Sequence, residues 1–151
     1  MEPGLHRVAD FSVDVATPIV VGETPDGLRR IVPILGGRVS GPRLAGEILN
    51  CGADFQIFRS DGVTLLEARY VIRASDGALI AVNNAGMRRG PPEAMARLAR
   101  GEFVDPSLIY FRTAFRFETE HENYRWLMRS LFIGAGARHP DHVEIGVFEV
   151  L

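Results

Sequence analysis

A chain of 151 residues with 46% apolar and 24% charged side chains has ordinary globular composition, and its length suits one domain over 1–151. A net charge of −2 supplies no basic field, so neither nucleic acid nor an anionic membrane is expected as a partner. All 17 basic residues are arginine, which excludes Schiff-base chemistry on lysine, pyridoxal phosphate attachment and a lysine-bearing phosphate loop.

The N-terminal stretch MEPGLHRVADF lacks the basic and then apolar regions of a signal peptide. The longest apolar runs, such as Ile31–Leu35, fall far short of the roughly 20 residues a membrane helix needs. A cytoplasmic location is therefore expected. Alternation with period two then dominates the chain. ADFSVDVAT places Phe11, Val13 and Val15 on one face and Asp10, Ser12 and Asp14 on the other. LRRIVPIL, RLAGEIL, DFQIFR, TLLEARYVIR and GALIAVNN follow as strands, and Asp61-Gly62 and Asp76-Gly77 mark hairpin turns around the fourth of them.

RGPPEAMARLARGEF predicts one short helix, entered through Pro91 and Pro92 and ended at Gly101, within a non-strand segment of about 85–106. LIYFRTAFRFE, YRWLMRSLFIG and HVEIGVFEVL complete the strands. Phe111, Thr113, Phe115 and Phe117 share the expected inner face, opposite Tyr110, Arg112, Arg116 and Glu118. YRWLMRSLF is apolar on both faces, which predicts an outer surface covered by the helix or by a second subunit, as in a homodimer. The pattern as a whole predicts an all-β, mainly antiparallel protein with about nine strands, curled into a barrel or split into a sandwich.

Few motifs carry chemistry. Cys51 is the only cysteine and reads as a small buried thiol. His139 and His142 flank a Pro-Asp turn with no evident third ligand, so no metal is expected. The glycines of GGRVSGP join strands rather than opening a helix, so no phosphate-binding cofactor is expected either. Glu67 with Arg69, and Glu118 with Arg112 and Arg116, share strand faces; such pairs mean little on a wet surface and a good deal inside a barrel.

The blocks GGRVSGPRLAGEILNCGAD, EARYVIRASDGALI, YFRT, RFET and YRWLMRSLFIGAG resemble a small bacterial and fungal family known as a domain of unknown function. The resemblance covers roughly residues 18 to 150. It implies a calycin-like up-and-down β-barrel, related in shape to lipocalins, of about 8–10 strands with one short helix. It also points to Asp54, Arg69, Tyr70, Arg112, Glu118, Tyr124 and Trp126, which match its blocks. The chain departs from the pattern at Phe55, Glu67 and Met128, where tryptophan, aspartate and asparagine are usual.

A barrel of this size holds either packed side chains or one small ligand. The expected function is binding of a hydrophobic small molecule, extending to cofactor-free isomerase, cyclase, hydratase or lyase chemistry on a carbonyl or phenolic compound. Asp54 or Glu118 would act as general base, while Arg69, Arg112 or Tyr70 would stabilise a developing enolate or phenolate. Tyr110, Tyr124 and Trp126 would provide ligand-binding walls. The alternatives are a non-catalytic carrier or sensor with the same cavity, and a structural dimeric barrel with none.

Overall fold

The computed structural model describes residues 1–151. Ten strands form one antiparallel sheet: β1 (Leu5–Val15), β2 (Ile19–Thr24), β3 (Gly27–Ser40), β4 (Gly46–Ile48), β5 (Gly52–Phe58), β6 (Thr64–Ala74), β7 (Leu79–Arg89), β8 (Tyr110–Glu118), β9 (Leu131–Arg138) and β10 (His142–Val150). Successive strands pair around the circle from β6 to β10, β10 pairs with β1, and β1 closes onto the second half of β3. The short β4 and β5 share the place between β3 and β6, and β2 continues the line of β1 along the first half of β3. The result is a closed barrel of eight strand positions, the all-β fold that the period-two pattern predicts. No helix is long and apolar enough to cross a membrane.

Closure depends on a close approach at Gly37, where the backbone turns to φ +149°. A Cβ there would lie 2.1 Å from the Ser12 carbonyl oxygen on β1, so only glycine lets the two strands meet. The two Asp-Gly turns form as expected, with Gly62 at φ +88° and Gly77 at φ +90°.

Helix α1 (Pro92–Ala99) starts after Pro91 and stops before Gly101 at φ +83°. Its buried Ala94 and Leu98 pack against Val104 in a small satellite cluster. A short 3-10 helix, Pro106–Leu108, then leads into β8. The sequence expectation differs at two places here. β7 runs five residues beyond Asn84, to Arg89, so the irregular segment is shorter than predicted. YRWLM is not strand but a second 3-10 helix, Glu122–Met128, with Leu127 buried. Its apolar residues face in several directions because a 3-10 turn projects side chains around its axis, so no covered outer strand face is needed.

Most of the interior is apolar. Phe11, Ile34, Ile72, Ile80, Val82, Phe115, Phe117, Phe132 and Val147 form its largest cluster, closed off by Leu127, Tyr124 and Trp126 from the second 3-10 helix. Along β7 the inward positions read Ile80, Val82, Asn84 and Arg88, so the barrel changes from apolar to polar toward the end that α1 covers.

Candidate functional site

The register builds the polar end in rows. Val32, Asp54, Ala68 and Asn84 lie across from one another on β3, β5, β6 and β7, and Arg30, Gln56 and Leu66 occupy the next row. Arg88 enters from the far end of β7 and Arg138 from the end of β9. Together with Tyr70 and Thr113 these residues, Arg30 excepted, line a cavity of about 50 Å³. That is room for a few waters or a compact ligand, on the scale of roughly 10–15 Å³ per water. Phe111 forms part of the wall; Gly136 makes space for its ring, since a Cβ there would lie 2.8 Å from it.

The polar groups are only partly satisfied by one another. Gln56 Nε2 donates to Asp54 Oδ2 at 2.8 Å, and the Glu67 backbone N–H donates to Asp54 Oδ1 at 3.1 Å. Arg30 Nη1 donates to the Ala99 carbonyl at 3.0 Å, tying the end of α1 over the barrel mouth. By contrast Arg88 Nε, Arg138 Nη1, Gln56 Oε1, Tyr70 OH, Asn84 Oδ1 and Thr113 Oγ1 are buried with no hydrogen-bond partner in the protein. Native interiors leave few such atoms, and several in one chamber mark a place prepared for polar contents.

Burial sets the electrostatics. It pushes the Asp54 carboxyl above the usual range, although the Gln56 hydrogen bond, the charges of Arg88 and Arg138 and the Glu67 N–H all pull the other way. Burial lowers the Arg88 guanidinium to about 10; Asp54 resists that shift, while Arg138 and Arg30 add to it. Burial likewise lowers Arg138 and Arg30 and raises the Tyr70 hydroxyl, the last with a further push from Asp54. At neutral pH all three guanidiniums stay charged.

A pH dependence follows from Asp54. Its raised carboxyl binds a proton more tightly in the folded than in the unfolded chain. The resulting stability is fully present below the ordinary aspartate pKa near 4 and is lost as pH rises through the folded value. The stability of the wild type relative to Asp54→Asn should therefore fall from about pH 4 upward, by at most about 1.4 kcal/mol per pH unit, and then level off. Urea unfolding of both proteins across this range checks it; a constant difference would mean that Asp54 titrates normally.

Of the residues singled out from sequence, Asp54 and Tyr70 line the cavity. Arg69, Arg112 and Glu118 lie on the outer face. Arg69 there donates to the single Glu67 oxygen Oε1 through Nε and Nη2, at 3.1 and 2.6 Å. Tyr110 is exposed, beneath the Arg89 guanidinium at 4.5 Å. Tyr124 and Trp126 sit at the opposite end of the barrel. The Tyr124 hydroxyl donates to Asp76 at 3.0 Å, and Trp126 packs between Arg43, 4.0 Å away, and Phe132. Cys51 is exposed rather than buried.

Sequence reasoning missed Arg30, Gln56, Asn84, Arg88 and Arg138. The signal was parity: continuing Ile80 and Val82 in steps of two reaches Asn84 and Arg88, and continuing Phe132 reaches Arg138. Neither run stays apolar: the first turns polar at Asn84, and the second passes through Gly134 and Gly136 before Arg138, so hydrophobic alternation stops marking the strand.

His139 and His142 gain the third neighbour not evident in the sequence, since Glu144 brings its carboxylate within 4.8 Å of both. The two rings stack at 4.4 Å with a 1° interplanar angle, so their in-plane lone pairs run parallel instead of converging on one ion. Asp141 accepts from His142 at 2.7 Å and holds its imidazole pKa up. The group reads as an ion-paired hairpin end.

The model of the family described as "Protein of unknown function (DUF3237)" matches residues 3–150. The chain belongs to the DUF3237 family. This DUF3237 chain is 55% identical over 153 residues to a UPF0311 protein of Rhodopseudomonas palustris strain TIE-1, covering 100% of both chains. Among solved structures it is similar to a conserved R. palustris protein of unknown function, with a TM-score of 0.97, 47% identity and coverage of 100% and 99%. It is also similar to a β-barrel-like protein from Acinetobacter baumannii, with a TM-score of 0.87, 38% identity and coverage of 100% and 98%. An enzyme from Penicillium herquei shares the fold at a TM-score of 0.76, with 18% identity and coverage of 100% and 96%.

Proposed function

We propose that this barrel binds one small carbonyl or phenolic compound at its polar end and moves a proton on it without a cofactor, with Asp54 as the base. The observation that carries the reading is the Asp54 carboxyl itself. It borders a largely apolar cavity, burial raises its basicity, and buried donors on Arg88, Arg138 and Tyr70 lie in the same chamber without partners. For a carbonyl compound the α C–H bond breaks, its proton passes to the Asp54 carboxylate, and the electron pair moves to the carbonyl oxygen as an enolate. Arg88, Arg138 and Tyr70 would stabilise that oxygen; return of the proton to the oxygen completes an isomerisation to the enol, and return to the carbon exchanges the α-hydrogen. That a Penicillium herquei enzyme uses this barrel is consistent with catalysis in the fold; the assignment itself rests on the residues.

Proton exchange tests this directly. In D₂O, wild-type protein should exchange the α-hydrogens of small ketones and oxo acids faster than buffer does, as followed by proton NMR. Asp54→Asn should lose about 10²–10⁴-fold of that acceleration. Equal exchange by both proteins, or none by either, would remove Asp54 as a base.

A further inference from the structure

We propose that the compound held in the barrel is an organic anion, a compact carboxylate seated on Arg88 and Arg138. This deepens the proton-transfer reading and rests on the same cavity, but a different observation carries it: the chamber's charge balance. Asp54 is the only acidic residue among the sixteen that line the cavity, against two arginines, and Arg30 stands close enough to interact with all three. Asp54 does not neutralise them through contact; its two oxygens take hydrogen bonds from Gln56 and from the Glu67 N–H.

Arg88 and Arg30 are well buried, 4% and 8% exposed, and Arg138 is half-buried. Buried cations normally meet a carboxylate or a full set of acceptors. Arg30 has the Ala99 carbonyl and the face of Phe58, 5.0 Å away, although its Nε lacks an acceptor. Arg88 has only the face of Phe111 at 5.4 Å, and its Nε has no acceptor; the same is true of Arg138 Nη1. Two guanidiniums with free N–H groups beside one cavity are built for a planar carboxylate, which matches a guanidinium fork in geometry and charge.

The walls narrow the class further. Ten of the sixteen lining residues are apolar, among them Val13, Val32, Leu66, Phe111 and Ile145. An inorganic oxyanion would press charged oxygens against these walls, whereas an organic acid sets its carbon skeleton there and its carboxylate on the arginines. A single negative charge also offsets the excess of two arginines over one ionised Asp54. The volume restricts the skeleton to a few heavy atoms while α1 stays in place.

Isosteric pairs test the proposal. Pyruvate and acetate, with pyruvamide, acetamide and inorganic phosphate as controls, would be titrated into wild type, Arg88→Met and Arg138→Met by calorimetry. Pyruvate should bind wild type at least about tenfold more tightly than pyruvamide, the loss expected when a charge-assisted hydrogen bond goes. Both variants should lose that preference while keeping a wild-type circular dichroism spectrum. Equal binding of acid and amide, binding of phosphate alone, or binding of no organic anion would each overturn it. The two proposals fail separately. Pyruvate binding without deuterium exchange into its methyl group keeps the anion and ends Asp54 as a base. Exchange on neutral ketones with no preference for acids does the reverse.

Discussion

Arg88→Met should make the ligand-free protein more stable than the wild type, by about 1–4 kcal/mol at neutral pH. Arg88 sits on β7 at a position that repeats the inward parity of Ile80 and Val82, yet it carries a charge into the barrel. The guanidinium is almost fully desolvated, is repelled by Arg138 and Arg30, and leaves its Nε without an acceptor. Methionine keeps the length of the stem, fills the space against Phe111 and removes the desolvated charge. Asp54 loses a favourable neighbour, and its already raised carboxyl answers by holding a proton more tightly. For a domain of this size the gain corresponds to a rise of roughly 2–15 °C in Tm, which a thermal scan or urea titration resolves easily. A stabilised variant that no longer binds the anion would identify Arg88 as kept for function at the expense of stability. A loss of 2 kcal/mol or more, like that of an ordinary truncated core residue, would instead make the guanidinium a structural element.

Phe132→Ala should do the opposite, lowering stability by about 3–5 kcal/mol. Phe132 is 2% exposed in the apolar half of the barrel. Its ring meets Phe117 edge-on at 5.4 Å and Trp126 at 5.9 Å, so truncation opens a cavity between β8, β9 and the 3-10 helix that closes that end. Residues there are held by the closed sheet and cannot collapse into the gap, which puts the cost toward the upper part of the range. Urea unfolding should show a lower midpoint at similar slope, since the surface exposed on unfolding hardly changes. A cost below 1.5 kcal/mol would mean that the plug formed by Glu122–Met128 refits over the hole. The two variants, taken together, divide the barrel into an apolar end that supplies stability and a polar end that gives some up.

Much of this was legible in the sequence. Alternation on β8 separated Phe111, Thr113, Phe115 and Phe117 from Tyr110, Arg112, Arg116 and Glu118, and the structure places them on the inner and outer faces in that order. The Asp-Gly turns, the helix between Pro91 and Gly101 and the all-β class were legible for the same reason: each depends on local chemistry within a few residues. Asp54 and Tyr70 were legible as polar groups at candidate positions. Their companions were not. Asn84, Arg88 and Arg138 continue inward parity, but being polar they imitate the end of a strand, because a hydrophobic pattern cannot report a strand that turns charged toward a cavity. The segment Glu122–Met128 misled in the opposite sense, since its dense apolar content looks like a strand while its role is to plug an opening.

Face and turn are properties of a single strand, and for these the chain's own pattern was sufficient. Which residues share a level inside the barrel depends on the register between strands far apart in sequence, and on the closure of β1 onto β3 at Gly37. That closure, an event of tertiary structure alone, is what turned two scattered arginines and one aspartate into the lining of a single chamber.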